Sequence, residues 1–291
     1  MRSARNEDRD KRFYKELYDT WYKKGALVAD PSTLAAKIYT MMGYSDAGYL
    51  KHALSQQEIE EIYEATDAFT IQAQTEDGQY LTVSQALEIG SYLGFLNPAH
   101  SSGTGEKSAG LNYRQRRIVI NLTSQQAAVR ATKALGSLSA DPTVFPDLTQ
   151  FKVFLSATAQ PTTEVKNDKI VVYYRVGDQI EGDADYVGDR IVAAVTDALR
   201  EGDADETVTP FYSQVTPAIS WAEEPVDYIQ GLRESKDQSF TWTRAAMIAS
   251  LLKGHAEPVR SAEELQRLIE AGFGDFGVMP KKPHRHLGLS T

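Results

Sequence analysis

The stretch Gln150-Phe151-Lys152-Val153-Phe154-Leu155 decides how the chain is read. Aromatic and aliphatic residues in so short a run predict a strand, and strand alternation sets Lys152 on the face opposite Phe151 and Val153. Two readings of that lysine follow. It is a solvated charge on the wet face of a half-exposed strand. Otherwise, burial disfavours its charged form and makes it a general base.

Working outward, Arg117-Ile118-Val119-Ile120-Asn121-Leu122 is a second β-branched run, and Lys169-Ile170-Val171-Val172-Tyr173-Tyr174-Arg175-Val176 a third. Between the first two, Thr123-Ser124-Gln125-Gln126 starts a helix that runs to Leu138, and Asp141-Pro142 with Phe145-Pro146-Asp147 marks a turn. Helices are expected over Tyr186–Leu199, Phe240–Leu252 and Ser261–Ala271, the last capped by Ser261 with Glu264 three residues on. Pro210–Trp221 reads as loop and short strand. The order predicts an α+β fold, a sheet layer with helices on one side.

Residues 8–95 read mainly helical. Phe13, Leu17, Trp21 and Tyr22 recur at helical spacing. Asp30-Pro31-Ser32 looks like a helix start, Ser55-Gln56-Gln57-Glu58 is a capping-box pattern, and Thr82-Val83-Ser84-Gln85 opens a helix expected to reach Gly94. The Pro/Ser/Gly-rich run from Asn97 to Gly105 is the expected boundary between a helical region, 1–105, and an α+β domain, 106–291. The Lys/Pro/His-rich tail from Met279 is expected to be poorly ordered.

Composition narrows the function. The chain has 291 residues, a net charge of −9 and no cysteine. Wholesale nucleic-acid binding wants a basic face, so it is not expected. Without cysteine there are no disulfides, thiolate ligands or cysteine nucleophiles. The five histidines are scattered with no HExxH spacing, so no metal is expected. No run of about 18 apolar residues predicts a membrane span. The charged stretch Met1–Arg12 has no apolar segment after it, which points away from secretion and towards the cytoplasm. Gly103-Thr104-Gly105 lacks the P-loop pattern, and no dinucleotide, kinase or GxSxG signature occurs; no cofactor is expected.

The cations Arg117, Lys166, Lys169, Arg175, Arg190 and Arg244 are candidates for an anion site, because a phosphate dianion needs several convergent donors. Taken singly, each is also an ordinary surface charge. Glu223-Glu224-Pro225 offers paired carboxylates, or a loop facing water. Tyr173 and Tyr174 point to opposite faces, so one is core and the other is open to a site.

The ordered segments Arg117–Leu122, Pro146…Phe151-Lys152-Val153, Asn167–Tyr173, Thr216-Pro217…Glu223-Glu224-Pro225 and Ser239-Phe240…Arg244 resemble the HopA1-like family over residues 95–255. That family includes bacterial type III effectors and stand-alone proteins of modified-peptide biosynthesis, among them class V lanthipeptides and thioamitides. The latter resemble phosphothreonine lyases. The resemblance implies an antiparallel or mixed lyase-like sheet packed with helices. It also implies β-elimination of phosphate from a phosphorylated Ser/Thr precursor peptide, giving dehydroalanine or dehydrobutyrine, with a kinase-like partner protein.

On the residues, it implies Lys152 as general base and Tyr173 as the strand tyrosine. Arg244 and Lys166 fall at phosphate-binding positions, with Arg117 and Arg190 as further cations. Asp168 and Glu224 fall in supporting places. The sequence departs from the family at the general acid. Where the family has a histidine, Val119 occupies the nearest position, leaving Arg117, Tyr173 or His100 as substitutes. A non-catalytic peptide-binding protein or effector, partner of a kinase-like protein, is the alternative.

Overall fold

The computed structural model describes residues 7–45, 48–74, 79–101, 114–176, 185–224 and 239–287. In chain order the elements are α1 (Glu7–Trp21), β1 (Tyr22–Lys23), β2 (Ala26–Leu27), α2 (Leu34–Gly43), β3 (Tyr44–Ser45), α3 (Gln56–Ala65), β4 (Thr70–Gln74), β5 (Tyr80–Leu81), α4 (Val83–Ile89), β6 (Ser91–Leu96) and α5 (Pro98–Ser101). There follow β7 (Arg114–Ile120), α6 (Gln125–Ser137), β8 (Leu148–Leu155), β9 (Val165–Lys166), β10 (Ile170–Val176), α7 (Tyr186–Ala198), β11 (Ser213–Gln214), β12 (Ile219–Glu223), α8 (Phe240–Gly254) and α9 (Ala262–Phe273). The fold is α+β. No described helix is long and apolar enough to cross a membrane.

Two compact units share the chain. One contains the described residues of 45–207 and 215–220; the other contains those of 7–44, 208–214 and 221–287. Each therefore draws on both sides of position 105, which itself lies outside the described residues.

In the first unit, β7, β10, β8, β6, β4 and β5 lie side by side in that order, with the pairings β7–β10, β10–β8, β8–β6, β6–β4 and β4–β5 all antiparallel. One face of this sheet is apolar and carries Ile118, Phe151, Val153, Val172, Tyr174 and Phe95, all fully buried. Phe151 stacks on Phe95 at 4.8 Å and meets Phe69 edge-on at 5.1 Å. Helix α7 closes over this face at Tyr174, whose hydroxyl donates to Asp185 at the start of that helix, 2.6 Å away. Helix α6 packs beside α7, and α3 beside α6. The Ser55–Glu58 and Thr82–Gln85 capping boxes are both formed.

The helix expected to run from Thr82 to Gly94 stops at Ile89. Gly90 takes φ +72°, a left-handed conformation that ends a helix at little cost to glycine. The chain then turns into β6, where Leu93 and Phe95 point to the core and Tyr92 and Gly94 away from it. The N-terminal segment thus supplies β4 and β6 to the sheet as well as helices. Asp30 also differs from expectation: its carboxylate accepts from Ser32 N in a local turn, and the N-cap of α2 is Thr33 without a side-chain bond.

In the second unit α1 packs on α9 and α2 on α8. Phe13, Tyr14 and Leu17 form the buried stripe of α1, and Phe211 meets both Phe13 and Phe273 edge-on at 5.4 Å. The segment from Met279 is packed as far as Leu287, against the expectation of disorder. Val278 bridges His286, and Leu287 N donates to Gly277 O. His284, Arg285 and His286 are buried.

Candidate active site on the polar face of the sheet

Strand alternation gives the first-unit sheet a second face, and register fixes its occupants. Lys152 stands opposite Val171 on one side and Gly94 on the other. Val171 in turn faces Val119. One row along, Tyr173 stands opposite Arg117 and Gln150. Directly opposed residues share a face, so Lys152, Tyr173, Arg117 and Tyr92 do too. Val119 therefore lies on this same face.

Lys152 is half-buried, as strand alternation requires. Its ammonium lies 4.2 Å from the centre of the Tyr92 ring. Among the described residues no carboxylate or hydrogen-bond acceptor pairs with it. The Tyr92 hydroxyl lies 2.8 Å from the carbonyl and 2.9 Å from the carboxylate of Asp168. Arg117, although only 3% exposed, lays its guanidinium 5.2 Å from the Tyr173 ring. Thr149 is the extra residue of a bulge opposite Tyr173 and Tyr174, and its hydroxyl donates to Tyr173 O at 2.8 Å. Bulges re-aim neighbouring side chains.

Lys169, at the head of β10, has a strongly altered proton affinity. Burial pushes its ammonium down to about 8, against the pull of Asp205 and Asp168. It donates to Asn121 Oδ1 at 3.0 Å and to Lys166 O at 2.8 Å. Lys169 thereby ties the turn that carries Lys166 and Asp168 to the end of β7. Lys166 is half-buried on that turn.

The other sequence candidates sit elsewhere. Arg190 projects from α7, the helix over the apolar face, and pairs with Asp141 at 3.0 Å on the surface. Arg244 belongs to the second unit and is fully buried. Two of its nitrogens donate to Pro283 O at 3.0 and 2.8 Å, and its guanidinium lies 4.3 Å from the Phe240 ring. Glu224, half-buried, is also in the second unit. Its neighbour Glu223 is the buried acid, accepting from His286 N at 2.7 Å. Pro225 lies outside the described residues. His100 Nε2 is 2.9 Å from Pro146 O. The structure therefore groups Lys152, Tyr173, Arg117, Lys166 and Asp168 in one unit, while Arg244 and Glu224 belong to the other and Arg190 faces away.

Three contributors escaped the sequence reading. Tyr92 and Gly94 were hidden in a segment read as helix; the alternation of Ser91-Tyr92-Leu93-Gly94-Phe95-Leu96 after Gly90 was the available signal. Lys169 was noted as a cation, but its burial and its bond to Asn121 depend on register.

Two clefts are lined by other residues. One of about 440 Å³ in the second unit is walled by Tyr22, Lys253 and His255, and one of about 500 Å³ in the first unit lies along Glu61, Arg130 and Lys133. The charges of the second are engaged, Arg130 with Asp203 and Lys133 with Glu61. No group of three or more histidine, aspartate or glutamate side chains able to hold a metal occurs among the described residues.

These features define an α+β protein with a cationic, tyrosine-lined face on an antiparallel sheet. Two solved structures share the fold along nearly the whole chain. An effector protein from Pseudomonas syringae pv. syringae strain 61 is similar with a TM-score of 0.61 at 13% identity, over 98% of this chain and 99% of that one. An effector protein from Pseudomonas syringae pv. tomato strain DC3000 gives a TM-score of 0.56 at 15% identity, over 95% and 99%. No protein-family profile and no curated protein matches the sequence. The fold is that of the two effectors, as the resemblance to the HopA1-like family led one to expect.

Proposed function

We propose that the protein is a phosphoserine/phosphothreonine lyase acting on a phosphorylated precursor peptide supplied by a kinase-like partner in the cytoplasm. The observation that carries this reading is the setting of Lys152. Its half-buried amine has no ion-pair partner among the described residues, faces the side-chain-free Gly94, and shares a face with Arg117 and Tyr173.

The chemistry balances without a cofactor. Lys152 takes the α-proton of the phosphorylated residue on its amine nitrogen. The C–H electron pair becomes the Cα=Cβ bond, the Cβ–O bond breaks, and phosphate leaves with that bond's electrons. Proton removal needs a base held against a weak carbon acid. Negative charge on the peptide carbonyl and on the leaving phosphate needs cations. In this reading Arg117 and Lys166 offset the phosphate, and Tyr173 orients it. With Val119 where the family has its acid, phosphate departs as an anion against those cations.

The test is elimination from a phosphothreonine peptide by wild type, Lys152→Ala and Lys152→Arg. Both variants lose about 100-fold or more in rate, the usual worth of a positioned general base, while phosphopeptide affinity changes little. A Lys152→Ala protein that eliminates at the wild-type rate overturns the assignment.

A second reading has specific support. Val119 removes the acid, and Arg244 places two donors on Pro283 O. A peptide-binding partner of a kinase-like protein, without catalysis, fits both. It predicts phosphopeptide binding or kinase co-purification with no dehydrated product.

A further inference from the structure

Tyr92 does more on the polar face than fill space. It stands opposite Phe154, one step diagonally from Lys152, and packs edge-on against the Phe154 ring at 5.1 Å. Gly94 occupies the place directly opposite Lys152. With no side chain there, the lysine stem leans across to the Tyr92 ring, which its ammonium meets at 4.2 Å. Diagonal neighbours on a sheet are within reach of long and aromatic side chains. The attraction between an ammonium and a ring face favours one rotamer of the flexible stem. The ring is itself fixed at its far end, where the hydroxyl meets the carbonyl and one carboxylate oxygen of Asp168. Asp168 adjoins Lys169, which is bonded to Asn121 and Lys166 O. A chain of defined contacts thus runs from the end of β7, through the 166–169 turn and Tyr92, to Lys152.

We propose that Tyr92 is the positioning residue for Lys152, holding its nitrogen over a ring face and fixing that ring through Asp168. This deepens the lyase reading and rests on it for its catalytic consequence, but the positioning itself stands apart. A carboxylate partner would occupy the nitrogen with a hydrogen bond. A ring face fixes its place and leaves an N–H or the lone pair open towards a substrate. The role is one of placement, since Tyr92 acts through Lys152.

The experiment has two readouts. The first is the rate at which Lys152 is acylated by a small amine-reactive anhydride, read by peptide mass spectrometry on folded, full-length protein. The second is kcat and KM for elimination from a phosphothreonine peptide. Tyr92→Leu removes the ring, so Lys152 acylation rises several-fold and kcat falls by about 10- to 100-fold with KM little changed. Tyr92→Trp keeps a π face, so acylation stays at the wild-type rate; it also serves if Tyr92→Leu fails to fold. Tyr92→Phe keeps the ring but frees it from Asp168, so acylation stays near wild type and kcat falls less than in Tyr92→Leu. Unchanged Lys152 acylation in Tyr92→Leu overturns the proposal, as does a Tyr92→Trp protein acylated as fast as Tyr92→Leu. If acylation follows the predicted pattern but wild type eliminates nothing, the positioning stands and the lyase reading falls.

Discussion

Gly94 and Lys152 face each other across the β6–β8 pairing, so the position directly opposite Lys152 carries no side chain. A Cβ on Gly94 would meet only Gln72 O at 3.5 Å and a Leu96 methyl at 3.6 Å, both ordinary contacts. The backbone therefore tolerates a larger residue, and valine favours a strand by up to about 1 kcal/mol. Gly94→Val is expected to unfold at the same or higher denaturant concentration and to lose at least about tenfold in elimination rate, because the new side chain displaces the lysine stem. Full activity in that variant shows that the placement of the lysine stem does not depend on the space at Gly94.

Lys169 makes stability depend on pH. Burial holds it near 8 in the folded protein, against the ordinary 10.5 of an exposed lysine. Below about pH 8 both states carry the proton, and the folded state bears the full cost of a buried charge. Between the two values the unfolded chain holds a proton that the folded chain has released, so stability rises with pH, by about 3 kcal/mol in total. Lys169→Met removes that rise. Urea titrations of both proteins at about pH 7.5 and pH 10 compare the slopes, and other titrating groups cancel in the difference. Equal pH dependence in the two proteins contradicts the account.

Asp185 is the centre of a buried network in the first unit. It accepts from Arg116 at 2.6 Å, Tyr174 at 2.6 Å and Gly188 N at 2.8 Å, with both ionic side chains buried. Removing one partner of a buried ion pair leaves a charge without compensation and costs about 3–5 kcal/mol. Asp185→Ala is expected to lose that much in denaturant unfolding. A loss below about 1 kcal/mol, the range of an exposed pair, shows that the network is not structural.

Arg244 holds the 279–287 segment through Pro283 O. Hydrogen bonds from a charged group contribute about 1.5–3 kcal/mol each. In Arg244→Leu, the amides of His286 and Leu287 are expected to exchange with solvent about tenfold faster or more, while those of β10 keep their wild-type rates. Unchanged exchange at His286 and Leu287 shows that other contacts hold the segment.

Much of the sheet was legible because β7, β8 and β10 are runs of β-branched and aromatic residues, and because alternation alone puts Lys152 and Phe151 on opposite faces. Strand β6 was not. The capping box at Thr82 gives no sign of where its helix stops, and the backbone places that stop at Gly90. The site was legible as residue types without partners. Arg244 and Lys169 both read as cations, yet tertiary packing buries the first on a carbonyl and sets the second between Asn121 and Lys166. The segment after Met279 has a disordered composition, and Glu223 with Arg244 overrides it.

The most direct test of the central claim is the product and isotope dependence of phosphate release from a phosphothreonine peptide deuterated at its α-carbon. The account predicts a dehydrobutyrine product, a rate several-fold slower than with the protiated peptide, and no reaction with Lys152→Ala. Release that yields threonine, an α-deuterium without effect together with an active Lys152→Ala, or no release by the wild-type protein with the proposed kinase-like partner present contradicts it.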